Sequence, residues 1–222
     1  ITINLEKAGT LPDRIASSNK YKITNLKIIG EINGTDLRMI REMAKGNSID
    51  GKLCVLDLSE AKIVEGGDWY YHENYIDNYY THNDEIGGYA FHGCSGLRSL
   101  NLPAGITVID DNAFYGCSGL TSIYVYAEKV PKIDSNVFEG VDAKKCTLYV
   151  PMGTRDDYRL SKFGYFENIV EFDATGIDKT TTSTDVEEVA RYSVNGQRLS
   201  APTKGLNIVK YSDGSVKKVA IR

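Results

Sequence analysis

Apolar residues recur along this chain in short pairs separated by one polar position: Ile3/Leu5, Leu26/Ile28, Leu56/Leu58, Leu100/Leu102, Ile123/Val125, Leu148/Val150 and Val170/Phe172. Alternation of that kind predicts a half-buried strand whose apolar members point inward. Successive pairs are 23, 30, 44, 23, 25 and 22 residues apart. Seven strands at roughly one period describe a chain that returns to the same edge each time, so the strands stack side by side in one parallel sheet and each turn of chain touches only its neighbours.

The period is carried by more than the pairs. Ile86-Gly-Gly-Tyr-Ala-Phe-His-Gly-Cys-Ser-Gly-Leu97 is repeated 23 residues later as Ile109-Asp-Asp-Asn-Ala-Phe-Tyr-Gly-Cys-Ser-Gly-Leu120, and a degraded third copy follows as Ile133-Asp-Ser-Asn-Val-Phe-Glu-Gly140. Within a copy, Ile106, Ile109, Ala113, Phe114 and Leu120 are expected to fill the interior, and Gly116 and Gly119 to make tight returns. Two spacings exceed the period. The first contains Thr35 to Gly46, where Leu37, Ile40, Met43 and Ala44 share one helical face; Thr35 or Asp36 is placed as its cap and Gly46 as its stop. The second contains an aromatic insert, Glu65 to Asp84, which reads as a long loop. Thr154 is expected to cap a closing helix through about Phe163, with Asp156 and Asp157 in its first turn.

The pattern changes after Phe172. Residues 173–186 have linker composition, and residues 187–222 form a small β module. In that module Tyr192 to Leu199 makes a hairpin turning at Asn195-Gly196, Leu206 to Tyr211 is a strand, and Ser212 to Ser215 marks another turn. The fold class is therefore α/β: a repeat unit over 1–172 with its insert at 65–84, then a β-hairpin unit.

The periodic Pro, Ile, Ala-Phe, Cys and Leu positions resemble the BspA-type leucine-rich repeats of bacterial surface proteins, best over Leu97 to Pro151 and more loosely over Ile3 to Phe172. Leu148 to Thr154 with Asn168 to Glu171 is similar to the way such arrays finish. The tail around Tyr192 to Arg198, Lys204-Gly205 and Val209 is similar to the C-terminal sorting modules of type IX secretion substrates, in a shorter form. The resemblance implies a leucine-rich-repeat solenoid, with a parallel sheet on one side and short helices and turns on the other. It also implies a secreted or cell-surface bacterial protein, members of the family acting as adhesins. A chain starting at Ile1 without Met suggests that a leader has been removed.

Composition narrows the function further. A net charge of -4 gives no general basic footprint for nucleic acid. No apolar run approaches the roughly 18 residues of a membrane-spanning helix. The usual nucleophile, zinc-protease and phosphate-loop motifs are missing, and pairs such as Asp110/Asp111 read as turn residues, so no enzyme activity and no cofactor are expected. His72, His82 and His92 stand ten apart, a spacing that matches no metal site. Among the cysteines Cys54, Cys94, Cys117 and Cys146, the pair Cys94 and Cys117 share a slot of successive copies, either as stacked buried thiols or as a disulfide.

Binding is the function that remains, and two surfaces are candidates. By alternation the sheet presents Asn25, Lys27 and Ile29, then Val55, Asp57 and Ser59, then Ser99, Asn101 and Pro103, then Ser122, Tyr124 and Tyr126, then Thr147, Tyr149 and Pro151. Tyr124, Tyr126 and Tyr149 would cluster, either as a recognition patch or as a covering of the strands. The insert offers Trp69, Tyr70, Tyr71, Tyr75, Tyr79 and Tyr80 among Asp68, Glu73 and Asp77; these suit a partner, or fold back over the flank of the repeats. The expected partner is a host or bacterial surface protein. A glycan stacking on exposed Tyr or Trp, or a mere structural spacer, are the alternatives.

Overall fold

The computed structural model describes residues 1–45, 51–73, 77–174, 188–193, 198–199, 201, 204–211 and 216–221, which fall into two compact units, Ile1–Ala174 and Thr175–Arg222. In the first unit, strands β1 (Thr2–Leu5), β2 (Asn25–Ile32) and β3 (Val55–Ile63) precede a hairpin of β4 (Gly66–Glu73) and β5 (Asp77–Thr81). Then come β6 (Glu85–Ile86), β7 (Ser99–Asn101), β8 (Val108–Ile109), β9 (Ser122–Tyr124), β10 (Lys132–Ile133), β11 (Thr147–Pro151) and β12 (Asn168–Phe172). The seven strands β1-β2-β3-β7-β9-β11-β12 lie side by side in chain order, each neighbouring pair parallel. A second parallel ladder, β6-β8-β10, runs where each copy turns back. This is an α/β repeat fold, mostly parallel sheet with few helices.

Each copy contributes the same interior layers. Leu100, Ile123 and Leu148 face one another in register and are fully buried. Behind them Phe91 stacks on Phe114 (5.4 Å, 9° between planes) and Phe114 on Phe138 (5.8 Å, 4°). Cys94 and Cys117 are buried and unbridged, the Cys117 thiol reaching the Phe91 carbonyl at 3.0 Å; burial pushes the Cys94 thiol up to about 11. Gly93, Gly116 and Gly140 hold one slot in three copies with φ of 71°, 73° and 86°, a conformation that side chains resist. Gly119 is required for a different reason: a Cβ there would meet the Ser95 carbonyl oxygen at 2.3 Å.

The irregular half departs from sequence expectation in instructive ways. Helix α1 (Leu11–Arg14) is one short turn, while α2 (Gly34–Ala44) replaces a whole return. Its cap is Asn33, not Thr35 or Asp36. Asn33 Oδ1 accepts the Thr35 N–H (3.1 Å) and Asp36 Oδ2 accepts the Asn33 N–H (2.9 Å), a reciprocal cap that satisfies two end donors at once. Asp36 is fully buried and also accepts from Gly9 N–H (2.6 Å) and Leu11 N–H (2.9 Å), tying the first loop to the helix. The expected stop, Gly46, lies outside the described residues; the helix ends at Ala44.

The last strand is shifted by one residue from expectation. Ile169, not Val170, pairs with Leu148 and is buried, whereas Val170 is 45% exposed and Phe172 stands on the outer face. Glu171 then occupies an inward position and accepts from Gly153 N–H (2.9 Å) and Arg155 N–H (3.1 Å). That carboxylate sits at the start of α3 (Arg155–Leu160), a favourable place for negative charge. Thr154 precedes the helix, but its hydroxyl bonds Pro151 O rather than a helical N–H. The helix stops at Leu160 and a 3-10 turn, Lys162–Tyr165, completes the closure.

The second unit is an antiparallel sheet of β13 (Glu188–Ser193), β14 (Arg198–Leu199), β15 (Gly205–Tyr211) and β16 (Val216–Ile221), in the order β14-β13-β15-β16. Its turns at Asn195-Gly196 and Ser212 to Ser215, and the linker from 175 onward, lie outside the described residues.

Candidate functional site

Strict pairing of parallel strands carries a side-chain position straight across the sheet. Thr2, Lys27, Asp57, Asn101, Tyr124, Tyr149 and Val170 are linked pairwise by register into a single row on the outer face. Five of the residues singled out from sequence, Lys27, Asp57, Asn101, Tyr124 and Tyr149, therefore share one line. Tyr126 lies two residues further along its own chain and is joined to the row by a hydrogen bond from Asn101 Nδ2 to its hydroxyl (3.3 Å).

One end of the row is polar. Lys27 Nζ stands 3.4 Å from Asp57 Oδ2 and 2.5 Å from Glu60 Oε1, and the Glu60 bond, then Asp57, raises the lysine's proton affinity. Asp57 Oδ1 accepts both the Ser59 hydroxyl (2.6 Å) and the Ser59 N–H (2.9 Å). Partial burial works to raise the Asp57 pKa, but the Ser59 bonds and Lys27 together outweigh it, so the carboxyl is held below its ordinary value. Lys27, Asp57 and Ser59 are mutually fixed and half-buried, with Glu60 exposed beside them.

The other end is aromatic. Tyr124 and Tyr149 stack at 4.2 Å with planes 6° apart, and Phe172 sets itself edge-on to both Tyr124 (5.5 Å, 89°) and Tyr126 (5.2 Å, 89°). Burial, then the neighbouring Tyr149 hydroxyl, pushes the Tyr124 hydroxyl up; burial, then Asp57, does the same to Tyr126. Phe172 links the tyrosines into one cluster and escaped the sequence reading because it was assigned inward with Val170. Matching Ile169 to Leu148 as the first apolar residue of each strand would have exposed it. Pro103 and Pro151, expected on this face, are buried.

The insert is built differently. It is a hairpin, Tyr71 pairing with Tyr79 and His72 with Asn78, and it packs on α2. Tyr70 is a core residue, 3% exposed, its hydroxyl donating to Gly88 O at 2.8 Å, so it offers no surface to a partner. Tyr71 stacks on Tyr89 (5.1 Å, 10°), and the Arg41 guanidinium lies over the Tyr71 ring at 4.6 Å from its centre. Arg41, 3% exposed, donates to the carbonyls of Tyr89 (2.5 Å), Ala90 (2.6 Å) and His92 (3.4 Å). This fixes Tyr89 in a left-handed conformation (φ 59°) at a slot where the next two copies use Asn112 and Asn136. Trp69 is half-buried under Arg38 at 4.9 Å, and Arg38 also meets Asp68 at 3.1 Å. Tyr80 is 46% exposed, and Tyr75 lies outside the described residues. The insert's aromatics are thus largely engaged with the repeats, and the sheet row is the better candidate.

Among the described residues no group of three or more His, Cys, Asp or Glu side chains is arranged to hold a metal ion, and no helix is long and apolar enough to cross a membrane. No curated protein matches this chain. Residues 84–183, which begin just before the clearest repeat, match the family model of the BspA type Leucine rich repeat region (6 copies), and over that stretch the chain is similar to leucine-rich repeats of this kind.

Proposed function

We propose that residues 1–172 form a leucine-rich-repeat solenoid whose outer sheet face binds a protein partner, in a non-catalytic bacterial protein that is secreted or held at the cell surface and acts as an adhesin. In this reading 173–186 is a linker and 187–222 a β module serving export. The observation that carries it is the in-register row from Lys27 to Tyr149: charged, amide and phenolic groups set in line on a rigid sheet and already ordered by one another. Such groups lose little entropy on binding, and half-buried tyrosines are favoured anchors at interfaces. The similarity of residues 84–183 to BspA-type repeats supports a protein-interaction or surface module.

A protein partner is favoured over a glycan by ring geometry. Sugars stack on open aromatic faces, whereas Tyr124 and Tyr149 turn their faces to each other and present edges and hydroxyls. The test is binding of the wild type and of a Tyr124→Ala/Tyr126→Ala variant to arrays of matrix proteins and of glycans. Loss of protein binding by about 10-fold or more, equivalent to roughly 1.4 kcal/mol, with an unchanged circular dichroism spectrum is expected. Glycan binding that vanishes in the variant would replace this reading, and no ligand on either array would leave a spacer.

A further inference from the structure

The back of the repeats carries a hydrogen-bond ladder that stops abruptly. The N–H groups of Tyr89, Phe91 and Gly93 donate to the carbonyls of Asp111, Ala113 and Tyr115 (3.1, 2.7 and 2.8 Å). One copy later, those of Asn112, Phe114 and Gly116 donate to Ser135, Val137 and Glu139 (3.2, 3.0 and 2.7 Å). In the third copy the same groups belong to Asn136, Phe138 and Gly140, and among the described residues they have no acceptor. The neighbouring strand ladder ends in the same place. Thr107 and Ile109 carbonyls accept from Lys132 and Asp134 N–H (2.9 and 3.0 Å), while the equivalent carbonyls of Pro131, just before the terminal strand β10, and of Ile133, within it, have no donor among the described residues.

The side-chain stack, by contrast, is closed. Phe138 is covered by Phe166 (4.8 Å, 66°) and Phe163 (5.7 Å, 44°). Apolar burial is therefore complete where backbone pairing is not. Between the two lies a groove of about 320 Å³ lined by Ile133, Asp134, Asn136, Phe138, Lys162 and Tyr165. Its size falls at the lower end of the ~300–1,000 Å³ usual for ligand sites. Tyr165 is 42% exposed yet rigid, its hydroxyl tied to Val141 O at 2.6 Å.

We propose that this groove, between the turn Ile133 to Gly140 and the 3-10 turn Lys162–Tyr165, docks an extended polypeptide segment of a partner protein. Alternate carbonyls of that segment take the N–H groups of Asn136, Phe138 and Gly140, and its own N–H groups reach the Ile133 carbonyl. The molecule itself shows twice what such a rung accepts: the backbone of a following copy. A simple anion would answer the donors and leave the Ile133 carbonyl unpaired, whereas a polypeptide edge answers both. Tyr165 supplies the wall against which an intervening side chain lies. The site is on the turn side and does not depend on the sheet face.

Amide-resolved NMR on the whole chain tests this. Without ligand, the amides of Asn136, Phe138 and Gly140 should exchange about 100-fold faster than those of Asn112, Phe114 and Gly116, since unpaired groups exchange without a local opening. The probe is a synthetic peptide of residues 107–120 carrying Cys117→Ser, with a scrambled peptide and sodium acetate as controls. Saturable shifts and slowed exchange at Asn136, Phe138 and Gly140 with the repeat peptide alone support docking. Equal protection of the two sets of amides in the free protein overturns the proposal. So do equal effects from the scrambled peptide or acetate, or no response at millimolar peptide.

Discussion

Residues 84–150 and residues 1–83 build one continuous sheet by different means. In the regular stretch, identical apolar layers stack copy upon copy: Phe91, Phe114 and Phe138 in one column, Leu100, Ile123 and Leu148 in another. In the irregular stretch, a helix and a hairpin are grafted onto the same sheet, and two buried charges hold them. Asp36 gathers three backbone N–H groups from separate segments, and Arg41 gathers three carbonyls of the first clear copy. A repeated return needs only shape, because each copy meets its own likeness. A unique insertion meets a surface with unmatched backbone groups, and a buried ion with several hydrogen bonds can satisfy several of them at once.

The comparison is sharpened most by Phe114→Ala, which opens a void in the middle of the phenylalanine column. A loss of roughly 4 to 5 kcal/mol in unfolding free energy is expected, from the usual range for buried Phe truncation, measured by urea denaturation. A smaller effect than that of any change in the first 83 residues would mean that the column does not dominate the regular half. Asp36→Ala comes next. It leaves the N–H groups of Gly9, Leu11 and Asn33 without their acceptor, at a combined cost of roughly 3 to 4 kcal/mol. The damage should be local, so fast amide exchange should appear around Leu11 and Asn33 while Phe114 and Cys117 keep their protection.

The sequence disclosed these halves unequally. Six of the seven strands of the large sheet are visible as an inward apolar pair, the seventh as a pair in the wrong phase, and the layers within a copy follow from the 23-residue shift, because hydrophobic period is a local signal. The outward row was legible for the same reason: alternation assigns Lys27, Asp57, Asn101, Tyr124 and Tyr149 to one side. The roles of Asp36 and Arg41 were not legible, since their partners lie 25 to 49 positions away for the contacts to Leu11 and Ala90 and are backbone groups that any residue would supply. Phe172 was misplaced because Asn168-Ile-Val-Glu-Phe172 supports either phase of alternation, and only the closing contact of Glu171 with Gly153 and Arg155 selects one.

Tyrosine gives the comparison a finer edge, for the same residue type is core in the insert and surface on the sheet. Tyr70→Phe deletes a buried hydroxyl and leaves Gly88 O without its donor, so about 1 kcal/mol should be lost. Tyr149→Phe, on the outer row, should leave the urea midpoint within error of wild type. Equal losses from the two would place both tyrosines in the core and remove the outer row from consideration as a binding face.

The smallest measurable loss belongs to the polar end of that row, and it depends on pH. The Asp57 carboxyl is held below its ordinary value in the folded chain, chiefly by Ser59 against the opposing pull of partial burial, with Lys27 adding to the lowering. A carboxyl whose folded pKa is depressed contributes stability above its unfolded value, near 3.9, and that contribution fades as pH falls through the folded value. Asp57 is only partly buried, so solvent screening still keeps the contribution modest. Asp57→Asn should therefore unfold at a slightly lower urea concentration than wild type at pH 7, and the difference should close as pH falls below the ordinary carboxylate range. A gap that instead widened on acidification would mean that burial, not the Ser59 and Lys27 contacts, governs this carboxyl, and that the row is not electrostatically ordered in the free protein.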